Sequence, residues 1–201
     1  GKNRIGKSQN YVLMKLTFWL KFSVFNLFVV AFLGTLMRYK IAFSLPWVDQ
    51  KHLQEAHSHF AFYGWVTTCI YVLIMRYLQK ILPKISIKKY ENLVLSNLIA
   101  SFGMLAAFVY AGYFWLSIVF STMALLTSFA FFFFLWKELR NVRENSKLWF
   151  LAGLFFAVLS SAGVFYLAYM KASGNMHQDF YLASTYYYLH FQYNGFFIFS
   201  C

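Results

Sequence analysis

The chain has 201 residues, of which 61% are hydrophobic, 23% aromatic and only 12% charged. A soluble domain carries about 25% charged residues, so this one cannot coat a globule in water. Its wealth of aromatic rings excludes disorder, and two cysteines exclude a disulfide framework. The net charge of +12 fits either a nucleic-acid partner or a membrane protein whose cations gather on the cytoplasmic side. Position along the chain decides between them.

About 20 apolar residues cross a bilayer as a helix, and the sequence predicts six such spans, near residues 17–37, 57–75, 93–112, 114–136, 148–170 and 180–201. None carries an acid in its interior, and the apolar residues run all round the helical wheel. Period-two alternation is absent, which argues against a membrane β-barrel. The first span follows a basic stretch without a small-residue cleavage site, so it reads as an anchor and not as a signal peptide. Asp49 is placed to cap a helix that starts near Gln50 and runs into the second span. Pro83 ends that helix. Gly112 marks a tight hairpin between the third and fourth spans. The last span stops at Ser200–Cys201 without a basic flank, which reads as a truncated chain. The fold class expected is all-α, a polytopic transmembrane helix bundle of about six spans forming one domain.

The cations then fall on one side. Lys2, Arg4, Lys7, Lys15 and Lys21 precede or open the first span. Arg76, Lys80, Lys84, Lys88 and Lys89 follow the second, and Lys137, Arg140, Arg143 and Lys147 follow the fourth. Only Arg38, Lys40, Lys51 and Lys171 lie on the other side. This asymmetry predicts a cytoplasmic N-terminus in a multi-pass protein of the plasma (inner) membrane. It also removes the main support for a nucleic-acid partner, leaving the lipid bilayer as the environment the charge serves.

Ionisable side chains within membrane helices are functional candidates by default. His57 and His59 stand near the outer start of the second span, and His190 lies roughly 15 Å into the sixth. Two residues apart, His57 and His59 point about 200° from each other on a helix, so they cannot share one ion as a pair four apart does. The His57 face continues through Ala61, Gly64 and Thr68, a strip of small residues open to close approach by a helix or a flat ligand. An imidazole heading such a strip suits an axial haem ligand, which makes His57, with His59 and Gly64 beside it, the candidate cofactor-binding set. The His59 face continues with bulky Tyr63 and Val66. His190 and Asn194 are four apart on one face with Tyr193 beside them, a polar group suited to a metal ligand or a proton relay. Both sets also have plain readings: interfacial histidines bonded to water or Glu55, and a core histidine bonded to Tyr186, Tyr187 or Asn194. No nucleophile elbow, phosphate loop, dinucleotide fingerprint or C-x-x-C is present.

Ala56-His57 followed by Phe60, Phe62 and Gly64 resembles the second span of catalytic subunit I of the haem–copper oxidase superfamily, which includes the nitric oxide reductases. Asn194, Gly195 and Phe196-Phe197 after His190 resemble the sixth span of the C-type oxidases. The resemblance implies a low-spin haem on His57, a first ligand to an active-site copper or iron at His190, with Asn194 and Tyr193 around it, and an electron donor. It further implies that the chain is the N-terminal half of a protein of about twelve spans. The remaining ligands would then come from the rest of its own chain or a second subunit, and the fragment alone would be an inactive part of an oxidoreductase reducing a small gas molecule. The pattern departs from the family where no Pro-Glu follows His190 and where Tyr193 is three residues on and not four. No histidine–tyrosine cross-link is therefore carried over. Glu55 and His59 are additions. Two other expectations stand beside this one: a non-catalytic haem or metal sensor on the same scaffold, and a transporter or structural membrane protein whose histidines bond across helices.

Overall fold

The computed structural model describes residues 2–83, 85–144, 146–175 and 177–200, with side chains described from Met14 onward except at positions 171 and 172. Lys84 and Cys201, and the side chains of Lys2, Arg4, Lys7 and Lys171, which entered the charge asymmetry and the sixth span, lie outside the described residues. Among those described, every regular element is helical. Six helices follow one another: α1 (Lys2–Ala42), α2 (Gln50–Ile81), α3 (Lys88–Ala111), α4 (Trp115–Leu139), α5 (Ser146–Ser173) and α6 (178–200).

Five of them contain stretches long and apolar enough to cross a membrane: Met14–Ala42, Gln50–Ile81, Lys88–Ala111, Trp115–Leu139 and Ser146–Met170. The all-α membrane bundle is borne out at that level. The sixth predicted span, 180–201, is not among the five. It folds as a helix, but Tyr186 to Tyr188, His190, Gln192 and Asn194 offset its Phe and Leu residues.

The chain groups into two compact units, residues 1–127 and 128–201, with the division falling inside α4. In the first unit α2 packs between α1 and α3. Asp49 caps α2 as its sequence position foretold, its carboxylate accepting from the backbone N–H groups of Lys51 at 2.8 Å and His52 at 2.9 Å. The helix ends at Ile81, two residues before Pro83, which has no N–H to continue it. Gly112 ends α3 with φ 61°, a left-handed backbone that only glycine adopts freely. A Cβ there would lie 2.5 Å from the His52 ring, so the hairpin into α4 needs glycine for space as well. Ala56, Tyr63, Ala100, Met104, Phe108 and Ala124 form the buried contact of α2, α3 and α4.

In the second unit α5 and α6 run antiparallel in contact along their length. The approach is so close that a Cβ on Gly163 would sit 2.6 Å from the Ser184 carbonyl oxygen. Further along, Gln192 donates to the Ser160 hydroxyl at 2.8 Å, and the Phe156 and Phe191 rings stack at 5.8 Å.

Two helices are interrupted in the same way. Residues Phe60–Thr67 of α2 and Phe191–Phe197 of α6 are π-helical. A π turn takes one residue more than an α turn, so some carbonyls lose alignment with the ladder, and such segments gather at functional sites. In α2 three successive carbonyls find donors on neighbouring helices. Asn97 of α3 donates to Tyr63 O at 2.8 Å, Asn26 of α1 to Gly64 O at 2.5 Å, and Ser23 of α1 to Trp65 O at 3.4 Å. The Thr68 hydroxyl also donates to Tyr63 O. Asn26 and Asn97 are both fully buried, and in lipid such carbonyls have no water to turn to. The polar residues in these spans thus follow the backbone defect they repair.

Candidate functional site

The opposite faces expected for His57 and His59 are observed, and the two rings meet different fates. His59 turns toward α3. Its Nδ1 lies 2.9 Å from the Glu55 carbonyl. A carbonyl only accepts, so Nδ1 carries the proton and Nε2 is left to accept from the Tyr113 hydroxyl at 3.2 Å. The ring also stacks on Phe108, centroids 4.4 Å apart. Both nitrogens are used within the protein.

His57 turns toward α1. Its Nδ1 is buried with no hydrogen-bond partner, and a Cβ on Gly34 would approach its Cε1 to 3.3 Å. Glycine at 34 therefore gives the imidazole its place. The ring closes one side of a cleft of about 500 Å³ whose other side is one face of α1: Ala31, Gly34, Thr35, Arg38 and Ile41, with Met37 at its edge. That volume lies within the range of small-molecule sites. Walls of Ala, Met and Ile are apolar, and the Thr35 hydroxyl is spent on the Ala31 carbonyl. Two polar groups remain, the His57 ring and the exposed Arg38 guanidinium.

Gly64, the third member of the candidate set, does not line this cleft. Its carbonyl receives Asn26, and a Cβ there would come within 2.8 Å of the Phe60 ring. At Gly64 the strip is met by Asn26 of α1 and by the Phe60 ring of α2 itself.

In the second unit, Asn194 Nδ2 and His190 Nδ1 are 3.2 Å apart, which places both on one face as their spacing required. Tyr193 sits beside them with its ring edge against Phe197. All three are exposed. Among the described residues no three His, Cys, Asp or Glu side chains gather as a metal site, so His190 stands as a single potential ligand.

A pattern emerges that residue-by-residue reading passes over. His59-Phe60-Ala61-Phe62-Tyr63-Gly64-Trp65 and His190-Phe191-Gln192-Tyr193-Asn194-Gly195-Phe196 share the order histidine, phenylalanine, any, aromatic, any, glycine, aromatic. In each the π segment begins at the residue after the histidine, and in each the glycine is buried. Two copies make no fixed-period repeat, so only a search for short non-periodic duplication would have found them. Arg38 and Gly34 gave no signal at all, because the cleft exists only once α1 lies beside His57. Compared with models of known protein families, with curated proteins and with solved structures, the chain matches none.

Proposed function

We propose that this chain is the haem-binding part of a membrane electron-transfer protein of the haem–copper oxidase kind, with His57 as an axial ligand and its N-terminus on the cytoplasmic side. One observation carries the reading: His57 holds a buried, unpartnered ring nitrogen at a cleft of ligand size, shaped by a glycine on the facing helix. The residues fit the group. Imidazole is a common iron ligand. Gly34 spares the room its ring needs, and Ala31, Met37 and Ile41 give the cleft apolar walls. Arg38 adds a positive charge to the cleft lining, which can pair with an acidic substituent of a bound haem. A haem bound there would supply one-electron transfer; the chain's own contribution is to hold and orient it and to fix the polarity around it. An electron donor and the chain or subunit bearing the remaining ligands are its implied partners. A lone histidine makes no metal centre, so no copper or iron chemistry is assigned to His190.

The absorption spectrum of the purified membrane protein tests this. A Soret band is expected, lost in His57→Ala and kept in His59→Ala, whose ring is already committed to Glu55 and Tyr113. A spectrum without the band, or one indifferent to His57→Ala, overturns the assignment. A second reading, in which histidines serve only to join helices, draws on His59, where both nitrogens do so. It predicts a colourless protein.

A further inference from the structure

The extra residue in the π segment of α2 is held there by side chains of two other helices, and it governs where the cleft histidine points. All the residues concerned lie within the first unit. In an unbroken α-helix the Thr68 N–H would bond to Gly64 O, four residues back. Here it bonds to Trp65 O instead. Gly64 O is taken over by the Asn26 amide of α1, and Tyr63 O by the Asn97 amide of α3 together with the Thr68 hydroxyl. Asn97 also donates to that hydroxyl at 3.0 Å, which orients it. Both asparagines are fully buried, so no water competes for the carbonyls they serve.

One extra residue in a helix turns everything on one side of it by about 100° relative to the other side. The inner half of α2 is the anchored side, with seven of the fourteen residues of Thr68–Ile81 buried. In Gln50–His59 only Leu53 and Ala56 are buried, so the outer half is the one whose direction the π segment sets. Counted outward from Thr68, His57 occupies the place that residue 58 would hold in an unbroken helix. That place puts its ring against Gly34 with Nδ1 buried, and it puts His59 on the Phe108 ring. With the π segment closed, Ser58 would face α1 in place of His57.

We infer that Asn26 and Asn97 are positioning residues for the cleft: by holding the Gly64 and Tyr63 carbonyls outside the α ladder, they keep the π segment open and His57 aimed at Gly34. Neither asparagine lines the cleft, and each acts through the backbone of α2. The inference deepens the haem reading, because the ring so aimed is the proposed axial ligand, yet the direction of the helix needs no haem.

Cross-linking tests it in the full protein, with Cys69→Ala and Cys201→Ala in every sample. Gly34→Cys is combined with His57→Cys, or with Ser58→Cys and His57→Ala, and the pair is bridged with a short bis-thiosulfonate. The bridge between positions 34 and 57 is expected to dominate. Asn26→Leu with Asn97→Leu should lower it severalfold and raise the bridge between 34 and 58, in a protein that keeps its helical circular dichroism. If the two substitutions together unfold the chain, Asn97→Leu alone carries the same expectation at smaller size. Deleting Ala61 from the variant removes the extra residue and should return the bridge to positions 34 and 57. A loss of packing alone predicts neither the transfer to 58 nor the rescue. An unchanged yield at 57, a loss without transfer, or a deletion that restores nothing would each overturn the inference. The Soret band separates it from the haem reading. A band that falls and returns with the bridge at 57 supports both, whereas a colourless protein whose bridge still moves to 58 ends the haem reading alone.

Discussion

His59 and His190 occupy the same position in the same seven-residue pattern, each at the start of a π segment and five residues before a buried glycine. Their surroundings are opposite. His59 is bonded at both nitrogens and stacked on Phe108, whereas His190 is exposed and, among the described residues, is bonded within its own helix to Asn194. Local sequence therefore sets the backbone form and the direction of the ring, while the neighbouring helices decide whether the ring is structural or available. The residue with an unspent buried nitrogen, His57, lies outside the repeated pattern. In α2 the cassette acts as a fixed frame, and the candidate ligand stands one half-turn before it.

Substitutions can break this comparison, and the largest difference is expected at the glycines. A Cβ at position 195 would lie 2.5 Å from Cβ of Phe156, which is tied to the α5 backbone. At position 64 it would meet only the ring end of Phe60. Gly195→Ala should therefore cost about 1–3 kcal/mol through overpacking, and Gly64→Ala less, because a ring can turn where a backbone cannot. Thermal unfolding of the two variants in one detergent checks the order. A reversed order would mean that the π segments are not equivalent. Next come the histidines. His59→Ala removes a stacked ring and two hydrogen bonds, a loss of about 1–2 kcal/mol. His190→Ala should be close to neutral in the same assay, since its ring seals nothing within the unit.

Much of the fold was legible because the responsible physics is local. Apolar runs mark five spans, and Asp49, Pro83 and Gly112 punctuate them where helix capping and backbone freedom require. The sixth expected span, 180–201, forms a helix of the right length but is not among the five helices apolar enough to cross by composition. The polar content of Tyr186 to Asn194 lowers its hydropathy, a compositional effect that length alone does not reveal. The π segments were hidden for another reason. Their stray carbonyls are satisfied by Asn26, Ser23 and Asn97, which lie 34 to 42 residues away in sequence, so nothing within 60–67 announces the extra residue. Of the site, His57 was legible from its residue type and the small residues after it. The cleft was not, because Gly34 and Arg38 become neighbours of His57 only through the packing of α1 on α2.

A smaller effect sharpens the contrast in how His59 is covered. Tyr113→Phe keeps the ring against Phe108 and removes only the hydroxyl at Nε2. A loss of about 0.6 kcal/mol is expected, the usual size of one hydrogen bond between membrane helices, and His59→Ala should make it vanish. A double-mutant cycle measures that coupling. Additive losses would show that the 3.2 Å contact contributes nothing.

The smallest expected effect lies at the helix starts. Helix α2 begins on the Asp49 carboxylate, whose pKa is held below the usual aspartate value by the backbone N–H groups of His52 and Lys51. Helix α6 begins at His177 with no side-chain cap. Because the folded-state pKa is the lower one, the carboxylate stabilises the folded start of α2 at pH values above the unfolded aspartate pKa. That contribution fades as the pH falls below about 3.9 and is gone once the pH has passed through the depressed folded value. The protection of the Lys51 and His52 amides, measured against their intrinsic exchange rates, should therefore fall on acidification in the native protein. In Asp49→Asn, which caps without titrating, that protection should not change on acidification. The amides that open α6 should respond alike in both proteins, since neither Asp49 nor its replacement touches them. An acid-dependent loosening at Lys51 and His52 that persists in Asp49→Asn would place its cause outside the cap.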